Sequence, residues 1–137
     1  MFGTTNVFSS FSVDDIEAAK KFYGETLGLE TTEGLMGNLD LTFGGEVKGQ
    51  AFIYAKPNHV PATFTVLNFS SDDVEKTVDE LNARGVVTKI YGDDELPDMP
   101  PNDAKGIMRG DDGVPQLAWF RDPAGNVLAI VSSETPG

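Results

Sequence analysis

The residues Phe11-Ser12-Val13-Asp14-Asp15-Ile16-Glu17 return 58 positions later as Phe69-Ser70-Ser71-Asp72-Asp73-Val74-Glu75. Five of the seven are identical, and Ile16 is matched by Val74. A 137-residue chain that repeats one junction at this spacing reads as two copies of one unit. Such a length holds one compact domain, or two small modules sharing a core. The junction has a local physical meaning. Asp14 and Asp72 each stand three residues before a Glu, the pattern of a helix capping box. Before each cap lies a β-like run, Val7 to Phe11 and Phe64 to Phe69. After each comes a helical stripe: Ile16, Ala19, Phe22 and Tyr23 in the first copy, Val74, Thr77, Val78 and Leu81 in the second. Gly28 and Gly85 stand where a glycine closes a helix.

Beyond each helix the apolar period changes to two. This predicts strands near 29–34, 38–43 and 50–56, then near 86–91, 115–121 and 126–132. Each half is therefore β-α-β-β-β. The first module spans 5–56, Pro57 to Pro61 form a connector, and the second module spans 62–133. The fold class is α+β, with two tandem modules whose curved mixed sheets enclose a cleft. Gly92 to Gly106, with three prolines and five acidic residues, is too long for a turn and reads as a lid or a surface excursion. Alternation puts Phe8, Ser10 and Ser12 on one face of the first strand, and Val66, Asn68 and Ser70 on the matching face of the fifth. A sheet that carries a helix on one face must bury or enclose something with the other, and a small-molecule site is the natural use.

The duplicated unit, the Val13-Asp14-Asp15-Ile16-Glu17 stretch leading through Phe22-Tyr23 to Leu27-Gly28-Leu29, and Phe120-Arg121-Asp122-Pro123-Ala124-Gly125-Asn126 together resemble the vicinal oxygen chelate superfamily. That group includes glyoxalase I, extradiol dioxygenases, fosfomycin-resistance enzymes and bleomycin-resistance proteins. The resemblance covers essentially the whole chain. It implies a divalent metal held by inward His, Gln or Glu, with one ligand seven residues before the Asp at each strand–helix junction. Counting from Asp15 and Asp73 puts those positions at Phe8 and Val66. A third ligand, a Glu, follows the Asp of the D-P-x-G-N turn by seven residues, which is Ala129 here. The fourth lies on the fourth strand between Gly49 and Lys56, where Gln50 is the one conceivable donor.

Phe, Val and Ala offer no lone pair to a metal. His59, between Pro57 and Pro61, reads as a solvated loop side chain away from the cavity face and without a partner. Asp93-Asp94-Glu95 and Asp111-Asp112 lack calcium-loop spacing and read as solvated acidic faces. No metal and no cofactor is expected. No catalytic residue is assigned, because the single His has no triad partners and no inward carboxylate pair is identifiable. Asp122 to Asn126 reads as a tight turn joining two strands.

What remains is an apolar surface with polar handles. Phe8, Val66, Ala129, Leu117 and Trp119 would form a floor for a flat ligand, and Ser10 and Asn68 would orient it. Phe52 and Tyr54 share one face of the fourth strand, whose direction the sequence leaves open. Arg121 shares Trp119's parity but reads as a surface charge. The formal charge of −12 argues against nucleic acid and anionic lipid as partners and favours cations. With no Cys there is no disulfide framework or thiolate chemistry. No apolar run is long enough to span a bilayer and the start does not read as a signal peptide, so a cytoplasmic location is expected. The resemblance implies a homodimer, and the bleomycin-resistance branch implies sequestration of a cationic or aromatic compound. Two alternatives are a glyoxalase-like lyase or isomerase with a relocated metal site, and a structural or regulatory module with a filled cavity.

Overall fold

A computed structural model describes residues 1, 3–5, 7–44, 49–92, 95 and 98–133, with the side chains at 49 and 50 excepted. The chain divides into two compact units, Met1–Pro61 and Ala62–Gly137. Each is a four-stranded mixed sheet with a helix on one face.

In the first unit, β1 (Ser9–Val13) leads into α1 (Ile16–Lys20), which widens into a π turn, Lys21–Thr26. The Leu27 N–H there reaches back five residues to the Phe22 carbonyl, at 2.9 Å. Gly28, at φ +72°, then reverses the chain. β2 (Glu30–Glu33), β3 (Leu39–Phe43) and β4 (Gly49–Ala55) complete the sheet in the order β1-β4-β3-β2. β1 runs parallel to β4, and the other pairs are antiparallel. The second unit repeats this plan with β5 (Thr65–Ser71), α2 (Val74–Ala83), β6 (Met108–Arg109), β7 (Gln116–Arg121) and β8 (Val127–Ser132), in the order β5-β8-β7-β6. Two tandem modules of one α+β plan are therefore present.

The helix-facing side of each sheet holds that unit's core. Phe11, Val13, Leu39, Leu41 and Ile53 are buried with Ala19, Phe22 and Tyr23 of the first helix, and the Phe11 and Tyr23 rings lie 6.0 Å apart. In the second unit Leu128, Ile130, Ala118 and Phe120 are buried with Val74, Val78 and Leu81 of α2.

Two expectations need correction. The helices are capped one residue later than expected. Asp15 Oδ1 accepts from Glu17 N and Ala18 N at 3.0 and 3.2 Å, and Asp73 Oδ1 accepts from Lys76 N at 3.0 Å. Glu17 and Glu75 thus fall at the second helical position rather than the third, so the capping box does not form. Asp72 instead accepts from the Ser133 hydroxyl at 2.6 Å.

The strand expected at 86–91 does not join the ladder, and 108–109 takes its place beside β7. Val86 and Thr88 do alternate inward, but their polar partners are a side chain and a loop. Asn82 Nδ2 donates to Val86 O at 2.9 Å and to Thr88 Oγ1 at 3.0 Å, and Thr88 Oγ1 donates to Lys105 O at 2.7 Å. Gly106 lets the two segments touch, because a Cβ there would lie 2.0 Å from the Thr88 carbonyl oxygen. Asp103 accepts from Lys105 N and Ile107 N at 2.9 Å each, and Lys105 Nζ reaches Asp79 of α2 at 2.7 Å. Residues 102–106 are thus tied down within their own unit. Asp93, Asp94 and Pro97 of this loop lie outside the described residues.

Candidate functional site

Sheet register decides which side chains share the face turned away from each helix. In the first unit Ser10 pairs with Phe52, Ser12 with Tyr54, and Asp40 with Phe52. Thr32 pairs with Asp40. Paired residues point to the same side of a sheet, so this open face carries Ser10, Phe52, Tyr54, Asp40 and Thr32. Phe8 precedes β1, is 61% exposed, and lays its ring 5.7 Å from that of Phe52. The Phe52 and Tyr54 rings are 6.1 Å apart. The direction of the fourth strand is thereby settled: Phe52 and Tyr54 lie with Phe8 and Ser10. A partly open cavity of about 260 Å³ sits on this face, lined by Phe8, Thr32, Asp40, Thr42 and Phe52, with Leu41 and Ala51 beneath.

Asp40, Thr32 and Thr42 belong to this surface and sequence reasoning missed them. A signal was present: the alternation Leu39-Asp40-Leu41-Thr42 puts the two polar residues opposite the two leucines. His59 also differs from expectation. It is half-buried, and its Nδ1 lies 2.7 Å from Ser12 Oγ, so the connector histidine is joined to the strand that carries Ser10.

In the second unit Asn68 and Trp119 both pair with Ala129. Leu117 pairs with Val131, which also pairs with Ser70. Asn68, Trp119, Ala129 and Leu117 therefore share the open face. Ala129 is 1% exposed, and Trp119 stands edge-on to Tyr91 with ring centroids 5.4 Å apart. Val66 falls in a register shift between β5 and β8 and has no ladder partner of its own. Arg121 is exposed. The Asp122–Asn126 turn is a buried polar knot: Asp122 Oδ1 accepts from Asn126 N at 2.8 Å, and Oδ2 from Asn126 Nδ2 at 3.0 Å.

Among the described residues, a cluster of charges holds residues 103–109 to α2. Lys105 Nζ lies between Asp79 and Glu75, and Arg109 lies between Glu75 and Asp103. The hydrogen bonds that Lys105 donates to Asp79 and Glu75 raise its pKa. Burial pushes the Asp103 carboxyl up, but hydrogen bonds from Arg109, Ile107 and Lys105 outweigh it and leave the pKa below its ordinary value.

The metal implied by the resemblance can be tested against these positions. Ser10–Phe52 in the first module is the counterpart of Asn68–Ala129 in the second, so Phe52 rather than Gln50 occupies the fourth-strand place that answers Ala129. Phe8, Phe52, Val66 and Ala129 present only carbon, and a divalent ion needs nitrogen, oxygen or sulfur donors. The residues at these positions do not fit the metal. Among the described residues, no group of three or more His, Asp or Glu side chains is placed to hold one either.

A search of curated proteins returned no match. Among solved structures the chain is similar to lactoylglutathione lyase from Agrobacterium tumefaciens, at 22% identity over 96% of each chain and a TM-score of 0.58. It is similar to an antibiotic binding protein from Streptomyces sp. CB03234, at 25% identity, covering 96% of this chain and 98% of that one, with a TM-score of 0.60. It is also similar to a glyoxalase/bleomycin resistance protein from the same strain, at 26% identity over 91% and 99% of the two chains, with a TM-score of 0.57. The sequence model of one family matches residues 7–130, nearly the whole length over which the two sheets are built. The chain belongs to the Glyoxalase/Bleomycin resistance protein/Dioxygenase superfamily.

Proposed function

We propose that this protein binds a small molecule without a metal, in the manner of the bleomycin-resistance branch, and sequesters a cationic or aromatic compound. The observation that carries the reading is the chemistry of Phe8, Phe52, Val66 and Ala129, four carbon-only side chains at the places where the family's metal would be held. Aromatic rings in their stead suit stacking, and a flat ligand that covers Phe8 and Phe52 removes apolar area from water at roughly 25 cal/mol per Å². The net charge of −12 supports the choice of a cation by raising its local concentration. The similarity to an antibiotic binding protein is consistent with sequestration. In this reading no bond of the ligand is made or broken, and protection follows from mass action alone. A homodimer in the cytoplasm is the proposed working form. Among the described residues no helix is long and apolar enough to cross a membrane.

The test is native mass spectrometry on untagged protein purified without chelator, then incubated with metal-free bleomycin and with zinc or manganese alone. Dimers that take up bleomycin and retain neither ion support the reading. One tightly held divalent ion per protomer would overturn it.

A further inference from the structure

We propose that the first module's open face contains a cation-recognition subsite, in which Asp40 fixes a protonated nitrogen while the attached flat group lies on Phe8 and Phe52. The proposal rests on the binding reading above and locates its selectivity. Three observations on this face carry it. Asp40 is exposed at the rim of the 260 Å³ cavity, and among the described residues no ion pair or hydrogen bond to its carboxylate is found. The carboxylate also lies against Gly34. A Cβ at Gly34 would lie 2.8 and 2.9 Å from its two oxygens, so the glycine leaves the space that the acid group fills. Finally, Asp40 pairs directly with Phe52, whose ring faces Phe8 at 5.7 Å. An anion beside two aromatic faces is the arrangement that attracts an ammonium or guanidinium, by direct charge and by the ring quadrupoles.

The second module does not offer the same chemistry. Trp119 occupies the counterpart of Asp40, and Ala129 the counterpart of Phe52. The cavity lies just below the volume of about 300–1,000 Å³ usual for a whole drug-sized ligand, so it suits one charged, flat arm of a larger molecule. Thr32, across from Asp40 on β2, and Thr42, two residues along β3, line the same cavity and supply hydroxyls to the nitrogen.

The experiment compares two probes of one shape, 2-naphthylmethylammonium and the neutral 2-naphthalenemethanol, titrated by calorimetry into the full chain. The ammonium should bind roughly tenfold more tightly, as expected for an exposed charge pair reinforced by cation–π contact. Added salt should shrink that preference. Asp40→Asn should cut the preference severalfold, to what the rings and the net charge alone provide, chiefly by weakening the ammonium. Glu33→Gln makes the same change in net charge on an exposed residue that pairs with Leu39, on the other face, and should preserve the preference. Equal binding of both probes by the wild type, or a preference left undiminished by Asp40→Asn, overturns the subsite and leaves the binding reading intact. If neither probe binds and bleomycin is also not taken up, the binding reading falls, and the subsite with it.

Discussion

Replacing Asn126 with Ala discriminates between a structural and a ligand-binding role for the Asp122–Asn126 turn. Asn126 is 1% exposed and Asp122 4%, so water cannot replace what the amide provides. Its Nδ2 donates to the Asp122 carboxylate at 3.0 Å, and its Oδ1 accepts from Ala62 N at 3.2 Å, across 64 residues of chain. The backbone bond from residue 126 to Asp122 Oδ1 survives the substitution. Losing a hydrogen bond to a buried charged group costs about 1.5–3 kcal/mol, and leaving the Ala62 N–H unpaired adds roughly 1 more. The expected loss is therefore about 2.5–4 kcal/mol, a large share of the roughly 5–15 kcal/mol that holds an ordinary domain together. Asn126→Asp should be no better at neutral pH, because it sets a second carboxylate against Asp122. Urea denaturation followed by Trp119 fluorescence measures the loss. A destabilisation below about 1 kcal/mol, combined with weakened bleomycin binding, would refute the structural assignment of the turn.

Two other perturbations test the packing. Asp15→Ala should lower stability by about 1 kcal/mol through the lost N-cap, whereas Asp14→Ala should stay within about 0.5 kcal/mol; the reverse ranking in urea midpoints would refute the cap assignment. Because the Asp103 carboxyl is depressed in the folded state, its stabilising contribution is complete above the ordinary value of 3.8 and disappears as pH falls through the lower folded value. Asp103→Asn should therefore be less stable than wild type at pH 5, and the gap should narrow on going to pH 3; a gap of constant size in urea melts would refute the linkage.

How far the sequence reaches depends on whether a feature is local or needs pairing. The duplication was legible because helix stripes and strand alternation are written in consecutive residues. The capping assignment slipped by one because Asp14-Asp15 and Asp72-Asp73 each offer two acids, and only the backbone angles choose between them. Asp15 has φ −132° and ψ 106°, the extended conformation of a cap. Val86, Thr88 and Ile90 have the alternation of a strand, yet alternation records only which side is buried, not which group accepts the backbone hydrogen bonds. The facing of Phe52 and the presence of Asp40 beside it depended on register between β1, β3 and β4. Register is a long-range property that no window of the sequence contains.

The two modules show which face the fold depends on. Across the helix-facing side of the first sheet one row reads Phe11, Ile53, Leu39; its counterpart in the second sheet reads Phe69, Ile130, Ala118. Two of three residues are identical, and the third remains apolar. One residue along, on the open side, Ser10, Phe52 and Asp40 answer to Asn68, Ala129 and Trp119. None of these three is the same, and a carboxylate has become an indole. Packing against the helix keeps that row apolar, even where the volume differs between Leu39 and Ala118. The open row is not bound by that constraint. Its two halves have separated into a carboxylate flanked by aromatic rings and an alanine covered by a tryptophan. The open row of the first module, where an exposed acid stands beside Phe52, is thus where the two copies differ most in chemistry, and it is the face on which the proposed subsite lies.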